Sequence, residues 1–140
     1  METNAFGPPS TEVARFLDDF DRLTSRASVD ATTVFADSFQ VLDASGAHTL
    51  TPAALVAAAI PARRALFESA GVTGVTRGDA RELALDDLHR LVTVEWSAAR
   101  PSGALRLSSS FLLRRQGEGW RVAVYINHTD PRVVLTAPST

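Results

Sequence analysis

The chain has 140 residues, of which 45% are hydrophobic and 21% charged, and its formal net charge is −2. This length suits one domain whose core needs no metal or disulfide, and the absence of cysteine excludes thiol chemistry and cysteine-ligated zinc. The balanced charge, without a basic stripe, argues against nucleic-acid binding. The longest apolar stretch, Pro52 to Ala62, is too short to span a bilayer. Because the first nine residues lack the features of a signal peptide, a cytoplasmic protein with no membrane partner is expected.

Helical patterns occupy the first half of the chain. Ser10 can cap a first helix, whose apolar residues follow at helical spacing: Val13, Phe16, Leu17, Phe20 and Leu23. A shorter helix is predicted from Ser28 or Val29 to about Phe35. A longer helix should start at Thr51-Pro52 and run to about Ala70, with a kink at Pro61.

Strand patterns dominate the second half. Phe39, Val41 and Asp43 share one face of a first strand, and four antiparallel strands are predicted later, over Val75–Leu85, His89–Ala99, Leu105–Leu113 and Trp120–His128. The first of these four carries the most charge, which is typical of an edge strand. Grouped helices followed by grouped strands predict an α+β fold. We expect a curved mixed or antiparallel sheet wrapped around about three helices, giving a cone with an internal cavity.

Polar residues interrupt the apolar face of three predicted strands. Asp43 ends the first strand, Ser109 follows Leu107 on its strand, and His128 shares its face with Trp120, Val122, Val124 and Ile126. The same alternation puts Tyr125 and Asn127 on the reverse face. A buried polar atom without a partner costs about 1–3 kcal/mol, so three such breaks indicate a pocket.

Three segments resemble strands of the nuclear transport factor 2-like superfamily, which includes ketosteroid isomerases and polyketide cyclases. They are residues 35–43 with the following Gly46, Val92-Thr93-Val94-Glu95-Trp96, and Gly119-Trp120-Arg121-Val122. The resemblance covers roughly Val13 to Asp130 and implies the cone-shaped fold.

In the isomerases, the aspartate at the position that Asp43 matches is the general base, while a tyrosine and a protonated aspartic acid hold the enolate oxygen. This chain departs from both partners. Its first helix offers Phe16 and Phe20 instead of a tyrosine, and Ser109 stands nearest the position of the second acid.

The candidate catalytic residues are therefore Asp43 and His128, which could form an acid/base pair near neutral pH. Asp43 could instead be a turn residue that binds the backbone of the Ala44-Ser45-Gly46 turn, and His128 could be a surface histidine. The candidate ligand-binding residues are Phe16, Phe20, Val94, Trp96, Ser109, Phe111, Val124 and Ile126. The histidines lack a chelating spacing, so neither a metal nor another cofactor is expected.

Two functions remain open on the sequence alone. One is a pocket protein for a small apolar molecule, with Asp43 as a possible general base on a carbonyl compound in an isomerase- or cyclase-like reaction. The other is a non-catalytic ligand-binding or dimeric interaction domain. A disordered lead (residues 1–9), one domain (10–130) and a tail (131–140) are expected. A homodimer is predicted through the weakly charged sheet face assigned to Thr93, Glu95, Tyr125 and Asn127.

Overall fold

A computed structural model describes residues 5–25 and 30–129 of the chain. The first helix, α1, spans Thr11–Thr24 and starts as predicted, because the Ser10 hydroxyl accepts a hydrogen bond from the backbone N–H of Val13 at 3.3 Å. Its predicted apolar stripe is buried throughout. Part of the predicted second helix lies outside the described residues, and the rest forms a 3₁₀ turn over Ala31–Thr33.

The longer helical segment is continuous but changes its hydrogen-bonding pattern. It consists of α2 (Pro52–Ala54), a π-helical turn (Leu55–Ala59) and α3 (Ile60–Ser69), and the Thr51 hydroxyl caps its start. The backbone N–H of Ile60 donates to the carbonyl of Leu55, five residues earlier. The next residue, Pro61, has no N–H to donate, so the irregularity expected there takes the form of a widened turn.

Six strands form one mixed sheet in the order β2-β1-β6-β5-β4-β3. Their bounds are Phe35–Asp43, Gly46–Leu50, Gly74–Asp86, His89–Ala99, Leu105–Gln116 and Gly119–Asn127 for β1 to β6. The pairing of β1 with β6 is parallel and all the others are antiparallel. The α+β class is thus confirmed, with β3 at one edge of an open sheet. At the other edge is β2, a strand that was not predicted from the sequence.

One face of the sheet, here called the inner face, packs against α1. Phe111 of β5 is fully buried there, with its ring centroid 4.8 Å from that of Phe20 and 5.8 Å from that of Phe16. Val92, Val94 and Leu113 complete the centre of this core. The opposite, outer face carries no helix among the described residues.

A β-bulge in β6 changes which residues reach the inner face. Leu113 pairs with Val122, but Leu112 pairs with Val124, so Ala123 has no opposite residue on β5. Because paired residues point to the same side, the alternation shifts by one position after Ala123. The predicted faces of Val124, Ile126 and His128 are therefore wrong: these residues lie on the outer face. Tyr125 and Asn127, predicted on the reverse face, pair with Phe111 and Ser109 on the inner face.

Polar side chains close the N-terminal end of α1 against the sheet. The Nε1–H of Trp120 and the guanidinium of Arg115 each donate to Oε2 of Glu12 at 3.1 Å. The guanidiniums of Arg115 and Arg90 lie 4.4 Å and 4.8 Å from the Trp120 ring centroid, and Arg90 pairs with Glu82 at 3.1 Å. We call these five residues the closed end of α1.

Candidate functional site

A cleft of about 540 Å³ lies between the inner face, the C-terminal end of α1 and the long helical segment. We call it the Asp43 cleft. Its walls are mainly apolar and come from β1, β2 and the helical segment: Phe35, Phe39, Val41, Leu50, Leu55 and Leu66. Asp43, Tyr125, Asn127 and Arg63 add polar groups to these walls. An apolar cleft with a few polar groups is the usual form of a small-molecule site.

Tyr125 and Asn127 line this cleft because of the bulge at Ala123. The Tyr125 ring packs 4.9 Å from the Phe111 ring and 5.9 Å from the Phe20 ring, centroid to centroid, which fixes its position on the inner face. Within the part of the chain that the structure describes, neither the Tyr125 hydroxyl nor the Asn127 side-chain amide has a protein hydrogen-bond partner. Both groups are thus left for water or a ligand.

Asp43 takes part both in the turn and in the cleft. Its Oδ1 accepts hydrogen bonds from the backbone N–H of Ser45 at 2.8 Å and from the Ser45 hydroxyl at 2.5 Å. Nε2 of His48 lies 3.9 Å from the same oxygen. The Asp43 side chain is nevertheless 19% exposed and lines the cleft. A role in the turn and a place in the cleft therefore do not exclude each other.

A second cleft, of about 500 Å³, adjoins the first. We call it the Trp96 cleft. Asp21 of α1 lines it, accepting hydrogen bonds from Trp96 Nε1–H at 3.3 Å and from the Arg77 guanidinium at 2.7 Å. Burial raises the pKa of the Asp21 carboxyl above its usual value, and this desolvation outweighs the opposing effects of Arg77 and Trp96.

Four residues line both clefts and therefore form the boundary between them: Phe20, Thr24, Ile60 and Arg63. Asp43, Tyr125 and Asn127 line only the Asp43 cleft, whereas Asp21 and Trp96 line only the Trp96 cleft. The boundary thus separates two groups of polar side chains.

The structure separates the predicted site residues into three groups. Phe20 lines both clefts and Trp96 lines one, whereas Phe16, Val94 and Phe111 are buried in the core and line neither. Ser109 is only 2% exposed, and its hydroxyl has no hydrogen-bond partner among the described residues. Val124, Ile126 and His128 lie on the outer face.

His128 and Asp43 are consequently not brought together as an acid/base pair. Nε2 of His128 lies 2.6 Å from the hydroxyl of Ser110. Both border a depression of about 290 Å³ on the outer face, with Asp79, Arg81 and Glu95. The hypothesis that His128 assists Asp43 is not supported by this placement.

Four residues that line the clefts were not predicted as site residues from the sequence: Tyr125, Asn127, Arg63 and Asp21. Tyr125 is the single tyrosine of the chain, yet strict alternation assigned it to the wrong face. Asp21 and Arg63 both occur on the polar sides of helices, where charged residues normally face solvent. Only the position of α3 at the clefts, opposite residues of α1, places Arg63 there.

Among residues 5–25 and 30–129, no group of three or more side chains is arranged to bind a metal ion. Every helix in the same ranges is too short or too polar to span a bilayer.

Comparison with known proteins identifies the fold. No curated protein matches the chain. An NTF2-like protein of unknown function from Shewanella oneidensis has a TM-score of 0.65 at 9% identity, over 84% of this chain and 97% of its own. A cystatin-like-fold protein of unknown function from Nostoc punctiforme has a TM-score of 0.64 at 11% identity, over 92% and 99%. At such identities the similarity concerns the fold alone.

The sequence itself matches one family directly. The family described as "NTF2-like protein (DUF6841)" matches residues 11–130. That range includes α1, the long helical segment and all six strands. The resemblance noted in the sequence is thus confirmed, and the chain belongs to the NTF2-like family DUF6841.

Proposed function

We propose that this protein binds a small, largely apolar molecule in the Asp43 cleft and that Tyr125 and Asn127 donate hydrogen bonds to an oxygen of that molecule. The bulge at Ala123 carries the proposal. Because of it, the side chains of Tyr125 and Asn127 point into an apolar cleft, where no described protein group binds them. The Asp43 cleft would then correspond to the internal cavity that the sequence predicts.

The size and walls of the cleft support this function. A volume of about 540 Å³ falls within the usual range for ligand sites. Its aromatic and aliphatic walls favour an apolar body, because removing apolar surface from water is favourable at about 25 cal/mol per Å². The Tyr125 hydroxyl and the Asn127 amide are both donors, and they match a carbonyl oxygen.

A binding titration with 2-acetylnaphthalene, an apolar ketone, tests the proposal. Calorimetry should show saturable binding by the native protein and at least about 10-fold weaker binding by the double variant Tyr125→Phe/Asn127→Leu, since each lost hydrogen bond costs about 0.5–1.5 kcal/mol. Ser110→Ala, on the outer face, is the matched control and should bind like the native protein. Failure of the native protein to bind would overturn the proposal.

A second candidate function is proton transfer next to a carbonyl, with Asp43 as general base. It is favoured by the presence of Asp43 and Tyr125 in one cleft, since a base and an oxyanion donor are the two parts that enolisation requires. In this step, the Asp43 carboxylate takes a proton from the carbon beside the carbonyl. Tyr125 donates to the enolate oxygen, and the proton then returns to carbon.

Deuterium exchange tests whether the protein catalyses this proton transfer or only binds the ketone. In D₂O, an enzyme would accelerate loss of the acetyl methyl proton signal of 2-acetylnaphthalene, and Asp43→Asn would abolish the acceleration while leaving affinity nearly unchanged. If the protein only binds the ketone, the exchange rate should stay at its background value in both the native protein and Asp43→Asn.

We further propose that the outer face mediates a homodimer. Four half-buried aliphatic residues form a continuous row across β3 to β6 on this face: Leu83, Leu91, Leu112 and Val124. Thr93 and Glu95 lie on the same face, as predicted, whereas Tyr125 and Asn127 do not. Sedimentation should show a dimer at micromolar concentration that Leu112→Arg dissociates and Ser97→Arg, outside the row, does not. A native protein that sediments only as a monomer would contradict this proposal.

A further inference from the structure

Arg63 is a cation at the boundary of the two clefts whose only electrostatic interaction with an acidic group of the described residues is a weak one with Asp21. Its guanidinium lies 4.8 Å from the ring centroid of Phe67, four residues further along α3. Among the described residues it makes no ion pair and no hydrogen bond. Arg64 and Arg77 differ in this respect: Arg64 donates to the Ser25 carbonyl at 3.0 Å, and Arg77 pairs with Asp18 and Asp21.

The environment of Arg63 favours binding an anion. The side chain is half-buried and its guanidinium lies against an aromatic ring, so part of its hydration is already lost. A guanidinium presents paired donors that match the two oxygens of a carboxylate. The nearby carboxylate of Asp21 is already occupied by Arg77 and Trp96, which leaves the Arg63 donors available.

We propose that the ligand of the Asp43 cleft carries a carboxylate, which Arg63 binds at the cleft boundary. This inference rests on the proposed function and makes it more specific. The ligand is then an apolar acid with a second oxygen function: its carboxylate lies at Arg63, its apolar body lies between the aromatic walls, and its neutral oxygen reaches Tyr125 and Asn127.

The distribution of charge around the cleft fixes this orientation. Asp43 lines the Asp43 cleft but not the boundary, so a carboxylate bound at the Arg63 end lies away from Asp43, and the Asp21 carboxylate near that end is already paired with Arg77. The reverse orientation would place two carboxylates together at the Asp43 end and leave the Arg63 cation unpaired, both of which are unfavourable.

The test compares two probes that differ only in one carboxylate, 2-acetylnaphthalene and 6-acetyl-2-naphthoate. In the native protein the naphthoate should bind about 10-fold or more tightly than the ketone, as expected for one charge-assisted hydrogen-bonded pair. Arg63→Gln should remove this advantage, so that the two probes bind to the variant with affinities within about 2-fold of each other. Arg64→Gln, one residue along α3, should retain the full advantage. Circular dichroism checks that both variants are folded.

The possible outcomes separate this inference from the proposed function. Equal binding of the two probes by the native protein, or an advantage that survives Arg63→Gln, would overturn the role of Arg63 and leave the binding function intact. Binding of neither probe would overturn the binding function itself, and the inference with it. Loss of the advantage in Arg63→Gln alone supports both.

Discussion

Each end of α1 pairs a tryptophan indole with a carboxylate, but in different surroundings. At the closed end, the Trp120 indole donates to Glu12 and is covered by the guanidiniums of Arg90 and Arg115. Near the other end, the Trp96 indole donates to Asp21, but its ring borders a cleft of about 500 Å³. One tryptophan is enclosed by its neighbours, whereas the other leaves space beside it.

The difference distinguishes polar side chains that bind one another from polar side chains that are available to a ligand. The polar side chains at the closed end bind one another, so they stabilise the fold. Beside the clefts, Tyr125, Asn127 and Arg63 have no hydrogen-bond or ion-pair partner among the described residues. We therefore expect substitutions at the closed end to change stability and substitutions beside the clefts to change binding.

The largest expected effect is at the closed end. Trp120→Ala removes a side chain that is only 4% exposed, and it should lower the free energy of unfolding by about 3–5 kcal/mol. Urea denaturation measures this loss. Trp120→Phe is the control, because it keeps an aromatic ring between the two arginines and should lose clearly less. A loss below about 1 kcal/mol for Trp120→Ala would contradict the view that this end holds the fold together.

The second effect is a loss of stability when the Glu12 carboxylate, which accepts a hydrogen bond from Trp120, is removed. Glu12→Ala leaves the Trp120 indole N–H without its acceptor and should lower the free energy of unfolding by about 1 kcal/mol. Tyr125→Phe removes a hydroxyl with no described partner, so it should change stability by less than about 0.5 kcal/mol. Equal losses in the two variants, measured by urea denaturation, would remove the distinction between the two ends.

Much of the fold could be predicted from periodicity, since the predicted stripe of α1 and the strands β4 to β6 carry regular patterns. β2 escaped prediction because the sequence Gly46 to Leu50 contains few β-branched or aromatic residues. The candidate site was harder to predict because the bulge at Ala123 leaves no mark in an alternating sequence, although it reverses every side chain that follows. Asp43 could be predicted as a candidate because it interrupts the apolar face at the end of a strand, whereas the place of Arg63 at the cleft depends on where α3 lies.

A smaller effect should distinguish two neighbouring serines on opposite faces of β5. The Ser109 hydroxyl is buried without a partner among the described residues, whereas that of Ser110 lies 2.6 Å from Nε2 of His128. Ser109→Ala should therefore leave the free energy of unfolding unchanged or raise it by up to about 1 kcal/mol, and Ser110→Ala should lower it by about 0.5–1.5 kcal/mol. The opposite order in thermal or urea denaturation would show that Ser109 has a partner.

The smallest effect is a pH dependence at Asp21. Burial raises the pKa of this carboxyl above its usual value of 3.8, so the folded state holds the proton more tightly than the unfolded state. Stability relative to Asp21→Asn should therefore fall as the pH rises from below 3.8 through the raised pKa. Urea denaturation of both proteins across this range measures the difference. A difference that stays constant, or grows with pH, would contradict the assigned effect of burial.

Fluorine NMR can show whether the bulge at Ala123 places Tyr125 in a ligand-binding cleft. Because the chain contains one tyrosine, labelling with 3-fluorotyrosine gives a single resonance that reports on this position alone. Titration with 2-acetylnaphthalene should shift that resonance saturably, with the same dissociation constant that calorimetry gives. A resonance that stays unchanged while calorimetry shows binding would mean that the ligand binds elsewhere, and would contradict the claim.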